Sequence, residues 1–290
     1  MTRRKTGSML RRPSWCFCLR INEMLSVKVI KKKINPRRRI ILLDELRGIA
    51  VFCMVFYHGF FMLSEVFELA IGDRLFYFFM PLQPFFASLF IVISGIASRL
   101  TRSNAVRGLK LFLLALLLSV TTIFILPEFG IENVGIYFGI IHFLSVAMLI
   151  FAAARPLLNK IKPEFGVIAC ALLYLLTYNI SDGYIGISGI FRINLPFALY
   201  NNSFLYPLGF HNNSFYSADY FSVFPHIFMF LAGTFIGIAA AAGRFPQWTY
   251  ASRIKFFGFL GRHTLLIYVL HQPVIYGIIT FTQLIIRLLD

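Results

Sequence analysis

Asp44, Arg47 and His58 lie in the first long apolar run of the 290-residue chain. Ionisable side chains in a membrane-spanning segment are costly to bury, so they are read as facing a bundle interior and serving a site. At about 100° per residue the three fall within roughly 60° of one another around a helix, and Val51 and Met54 share their stripe. Arg47 and His58 are separated by roughly 16 Å along the axis, about half a bilayer core. An imidazole that titrates near neutrality can take a proton from an amine or hydroxyl as that group attacks an acyl carbonyl. An arginine deeper in the same seam can hold phosphate oxygens bidentately, and Asp44 would orient or neutralise it. The seam therefore fits acyl transfer from a phosphate-bearing donor; the competing reading is an Asp44–Arg47 ion pair at the membrane boundary.

His142, His226 and His271 also fall in apolar runs, and four imidazoles in different spans suggest one shared interior cavity. Each has a plainer reading. His142 would make an interhelical hydrogen bond, His226 would sit solvated at a span entrance, and His271, before Gln272-Pro273, would satisfy carbonyls freed by a proline kink. His211 and His263 read as loop and inner-surface residues.

The elements that must position these side chains follow from composition. Hydrophobic residues make up 58% and charged ones 14%, with mean hydropathy +0.75, which defines an all-α, polytopic transmembrane helix bundle. Windows long enough to span lie at about 41–62, 76–97, 109–127, 134–154, 165–180, 222–241 and 264–286, seven in all. The net charge of +16 is distributed as orientation requires: 13 of the 28 basic residues precede Ile40, and most of the others sit in alternate connections. That pattern places the N-terminus in the cytoplasm and argues against a nucleic-acid partner. Residues 1–39 read as a disordered basic arm near anionic headgroups, and 40–286 as a single domain. The four cysteines, Cys16, Cys18, Cys53 and Cys170, show no metal or disulfide spacing, and no metal is expected.

The connection from Ser181 to Phe221 is long and aromatic-rich, which makes 185–208 a candidate re-entrant segment. It repeats Asn-Asn-Ser-Phe at 201–204 and 212–215, and both copies fit an N-glycosylation acceptor. Gly135-x-x-x-Gly139 and Gly233-x-x-x-Gly237 are expected to allow close helix approach in the fourth and sixth spans.

Five blocks in order carry a resemblance. Asp44-Glu45-Leu46-Arg47-Gly48-Ile49-Ala50 followed by His58 resembles the first span of transmembrane acyltransferases. With Phe90 to Ile96, Phe138 to His142, Asp219-Tyr220-Phe221 together with Phe224-Pro225 and Phe230 to Gly233, and Leu260 to Pro273, the chain resembles the bacterial relatives of heparan-α-glucosaminide N-acetyltransferase. It departs from the family pattern at His226, where a tryptophan is usual, and at Ser222, where a proline is. The resemblance implies a multi-pass protein of a bacterial plasma membrane. It further implies transfer of an acetyl group from cytoplasmic acetyl-CoA to an amino sugar or sugar hydroxyl on the far side.

On that reading His58 is the catalytic base or a transient acetyl carrier. Arg47, with Arg99 and Arg102, holds the CoA phosphates, and His142, Asp219, His226 and His271 line the acceptor side. For the loop arginines positive-inside bias is a full explanation by itself and the favoured one. Two other classes remain: a proton-coupled transporter, against which no inverted repeat is visible between the halves, and a non-catalytic membrane subunit. The acceptor and the oligomeric state are not legible.

Overall fold

The computed structural model describes residues 39–131 and 133–289; apart from Arg39, the expected basic arm lies outside them. A proline-free apolar run forms α1 (Ile41–Phe61), which ends in a π-turn at Met62–Val66. Helix α2 (Ala70–Phe79) meets α3 (Gln83–Leu100) through a single 3-10 turn. Pro81 and Pro84 fall in that turn and at the start of α3, where a missing N–H costs least. Ser103 caps α4 (Asn104–Val120) by accepting the Val106 N–H. Then come α5 (Ile140–Leu158), α6 (Pro163–Thr177), α7 (His226–Ala241), α8 (Lys255–Arg262) and α9 (Thr264–Leu289).

Among the described residues, six helical stretches are long and apolar enough to cross a membrane: Ile41–Val66, Ala70–Leu100, Asn104–Phe129, Ile140–Leu158, Pro163–Asp182 and Thr264–Leu289. The remaining expected window became α7, a helix of 16 residues, about 24 Å long and short of a full bilayer core. It is nonetheless central: Phe230, Phe235 and Thr234 are fully buried. With Phe143, Phe151, Ile91 and Met148 it builds the main core, while Leu113, Leu117, Phe124, Leu172, Ile278 and Phe281 are exposed on the outer helices. Such an apolar exterior around a packed interior is the signature of a polytopic bundle in lipid.

Two helix pairs approach at backbone distance. A Cβ on Gly48 would come within 1.9 Å of the Phe257 carbonyl oxygen, and one on Gly261 within 1.7 Å of the Asp44 carbonyl oxygen, so α8 lies directly on α1. In the same way Gly95 of α3 meets the Phe230 oxygen at 2.1 Å and Gly233 of α7 meets the Val92 oxygen at 2.2 Å. Absence of side chains is what lets these backbones touch.

Two expectations change. Gly135 and Gly139 precede α5, which starts only at Ile140. Gly139 instead makes room for a carboxylate, since a Cβ there would lie 2.7 Å from Asp219 Oδ2. The candidate re-entrant stretch holds an antiparallel hairpin, β1 (Tyr184–Ile187) with β2 (Phe191–Asn194), Tyr184 opposite Asn194, and two short 3-10 turns. All four residues of β2 are exposed, and a two-stranded ribbon with open edges has unpaired backbone groups that hydrocarbon cannot satisfy. The hairpin therefore belongs in an aqueous setting.

Candidate active site

The stretch Asp44 to Gly48 is mostly an anchor for α8. Glu45 Oε1 accepts the backbone N–H groups of Arg253 and Ile254, at 2.7 and 2.9 Å, and the Ser252 hydroxyl at 3.2 Å. These donors lead into an amphipathic helix, and a buried carboxylate satisfies them together. Asp44 is buried and pairs with Arg47, Oδ1 to Nη1 at 3.9 Å.

One helix-length further on, α1 contributes His58, which is buried beside α9. The His58 and His271 rings face each other with centroids 5.0 Å apart, and Gln272 Nε2 lies 3.3 Å from His58 Nδ1. His271 Nδ1 is 2.7 Å from the Tyr268 carbonyl oxygen, which assigns it the ring proton and leaves Nε2 with only a lone pair. That nitrogen is buried without a hydrogen-bond partner. An unpaired buried acceptor is a cost that a purely structural residue would normally avoid.

Behind this pair lies a carboxylate. Asp219 Oδ2 accepts the Tyr268 hydroxyl at 2.6 Å and the Ile140 N–H, at the head of α5, at 3.2 Å. Complete burial pushes the Asp219 carboxyl above its ordinary range, opposed by those two donors and by its proximity to His271 and His142. His142 is fully engaged: Nδ1 accepts the Gly139 N–H at 3.2 Å, and Nε2 lies 3.1 Å from Ser119 Oγ. Because Ser119 donates its own proton to the Ile136 oxygen at 2.6 Å, His142 must carry its proton on Nε2. It ties α4 to the head of α5.

A cavity of about 40 Å³ is lined by Ala50, Val51, Met54, His58, Asp219 and Tyr268 among others, large enough for water. His226 lines a neighbouring cleft of about 320 Å³, and the two share Gln83, Ala87 and Phe221 as a wall. The four histidines thus do not share one cavity. His58 lines the small void, His271 stands against His58, His226 lines the adjacent cleft, and His142 is a strut.

Nor does the seam run unbroken. Val51 and Met54 line the void with His58, as their common stripe requires, but Arg47 is outside its lining. Arg99 is 7% exposed; its Nε donates to the Thr234 carbonyl at 3.0 Å, Nη1 to Asn159, and the guanidinium lies 4.9 Å over Phe151. It straps α3 to α5 and α7. Arg102 is exposed on the turn between α3 and α4.

Sequence reasoning missed Glu45, Ser119, Tyr268, Gln272 and Gln83. Glu45, Tyr268 and Gln272 stand in the blocks that carry the family resemblance, and Tyr268 also lies three residues before His271 on the same helix face, but neither signal names a partner.

One buried imidazole and a carboxylate line a void inside a polytopic bundle, with a second imidazole packed against the first, and groups of these types are the ones that move protons. The chain belongs to the family described as heparan-alpha-glucosaminide N-acetyltransferase, catalytic, whose model matches residues 39–273. Every residue of the site lies within that span, and the family makes this a membrane acetyltransferase domain. No curated protein and no solved structure matches the chain.

Proposed function

We propose that the protein moves an acetyl group from acetyl-CoA, bound from the cytoplasmic side, to an amine or hydroxyl of a saccharide on the opposite side. The observation that carries this reading is the buried His58–His271 pair beside a void, inside the stretch that matches the acetyltransferase family. The acceptor attacks the thioester carbonyl, a carbon–nitrogen or carbon–oxygen bond forms, and the carbon–sulfur bond breaks. The acceptor's proton passes to His58 and then to the departing thiolate. Two cationic rings 5.0 Å apart would repel, so the pair takes up at most one extra proton at a time, and the free Nε2 of His271 can receive it from His58.

Asp219 and Tyr268 fix the end of this array by holding α9 to the head of α5. His226 and Phe221 form the acceptor wall, and His142 positions that wall by keeping the start of α5 in place. On the donor side Arg47, oriented by Asp44, and the exposed Arg102 are the phosphate ligands. Arg99 acts through the packing of α3.

The test is purified protein in nanodiscs with acetyl-labelled CoA and a panel of amino sugars, comparing wild type, His58→Ala and His271→Asn. Loss of transfer by about 10²- to 10⁴-fold in His58→Ala is expected for a missing general base. Transfer at the wild-type rate in that variant would remove His58 from the mechanism. Proton flux driven by a sugar in liposomes, with no acetylation of any acceptor, would replace the enzyme with a carrier.

A further inference from the structure

The repeated Asn-Asn-Ser-Phe has no part in the site above, yet both copies meet at one place. A cleft of about 590 Å³ is bounded by Asn202 and Ser203 from the first copy and by Asn212, Ser214 and Phe215 from the second. Its volume falls in the roughly 300–1,000 Å³ range of small-molecule sites. Aromatic rings supply the remaining character. Tyr206 and Phe215 stack with centroids 5.1 Å apart and planes at 26°, and Tyr137 stands edge-on to Tyr206 at 6.5 Å. Tyr137, Tyr206 and Phe215 all line the cleft.

We propose that this cleft is a saccharide subsite for the acceptor units beyond the reacting sugar, and that it takes a neutral or amino-bearing oligosaccharide in preference to a polyanionic one. The proposal rests on the acetyltransferase reading and specifies its acceptor. A pyranose offers an apolar C–H face that packs on an aromatic ring and a rim of hydroxyls that exchange hydrogen bonds with amides and serines. Those are the two kinds of group assembled here. Among the described residues that line the cleft there is no Lys, Arg, Asp or Glu, whereas sulfate and carboxylate groups are bound by cationic forks.

The cleft is also placed to feed the site. His211 lines both it and the 320 Å³ cleft that holds His226. That second cleft shares Phe221, Ala87 and Gln83 with the His58 void. The His211 ring is held between Phe215 at 5.2 Å and Tyr220 at 5.1 Å. Distal sugars in the larger cleft would turn at His211, leaving the reacting sugar against Phe221 and His226.

The experiment measures binding to the full chain in nanodiscs by calorimetry, without acetyl-CoA, using glucosamine, an unsulfated β-1,4-linked glucosamine tetrasaccharide and a sulfated heparin tetrasaccharide. The unsulfated tetrasaccharide is expected to bind at least about tenfold tighter than glucosamine, and the sulfated one more weakly than the unsulfated. Ser203→Trp, at an exposed position, should fill the cleft, and Phe215→Ala should remove the stacking ring; each should bring the tetrasaccharide-to-glucosamine affinity ratio near one. Equal affinity for tetrasaccharide and glucosamine in wild type, a preference for the sulfated probe, or a ratio unchanged in both variants would overturn the subsite. If the ratio responds to both variants but no saccharide is acetylated, the subsite stands and the enzymatic reading falls. If glucosamine is acetylated while the ratio is flat, the reverse holds.

Discussion

At its first turns α1 is closed by backbone. The Asp44 oxygen abuts Gly261, Gly48 abuts the Phe257 oxygen, and Glu45 satisfies three donors ahead of α8. Ten residues after Gly48, His58 instead borders a void and faces a second imidazole with an unpartnered nitrogen. Both ends carry buried ionisable groups. At one end every partner is present and no space remains; at the other, space and an unmet hydrogen-bonding capacity are left together. Burial of a charged or polar residue in a span is thus not enough to mark chemistry; what separates these two ends is the open volume beside an unmet partner.

The comparison can be broken most severely at the closed end. Gly261→Val would drive a side chain into the Asp44 carbonyl, and loss of monodisperse protein in fluorescence-detected size exclusion is expected, since overpacking that backbone must absorb is not relieved by rotamer changes. Recovery of a normal elution peak would show that α8 can lift away from α1. At the open end, His271→Asn should lower acetyl transfer by about 10²-fold or more while leaving the elution profile intact; a collapse of folded yield would class His271 with the anchors. Glu45→Ala sharpens the contrast from the other direction. It should cost about 1–3 kcal/mol, read as a lower thermal midpoint, with the turnover of surviving protein close to wild type.

A smaller effect follows from Asp219. Its folded carboxyl is raised by burial, so the protonated form is favoured by folding. The stability this contributes is complete below the ordinary value of 3.8 and is lost as pH rises through the folded value. Wild type should therefore show a thermal midpoint that falls as pH climbs above the carboxylate range, and Asp219→Asn should flatten that slope. The smallest change is expected from Ser119→Ala, about 1 kcal/mol through the lost partner of His142. An effect on acetyl transfer larger than on stability would give His142 a role beyond holding α5.

Six of the seven spans and the close approach at Gly233 and Gly237 were legible because they depend on local composition and on spacing along one helix. Glu45 was not, since its donors lie more than 200 positions away and nothing near Glu45 announces them. Arg99 misled for the opposite reason. Its place after an apolar run fits a surface cation, yet Thr234, Asn159 and Phe151, on other helices, enclose it.

By itself the sequence determined that this chain is a helix bundle in a membrane, roughly where six of its spans lie and which family's blocks it carries, because hydrophobic length and helical period are properties of consecutive residues. Only the tertiary structure decided that His271 buries a nitrogen without a partner, which arginine is a strap, and that two copies of one tetrapeptide wall a single cleft. Those outcomes depend on which side chains from distant segments arrive within hydrogen-bonding distance, and hydropathy carries no information about that pairing.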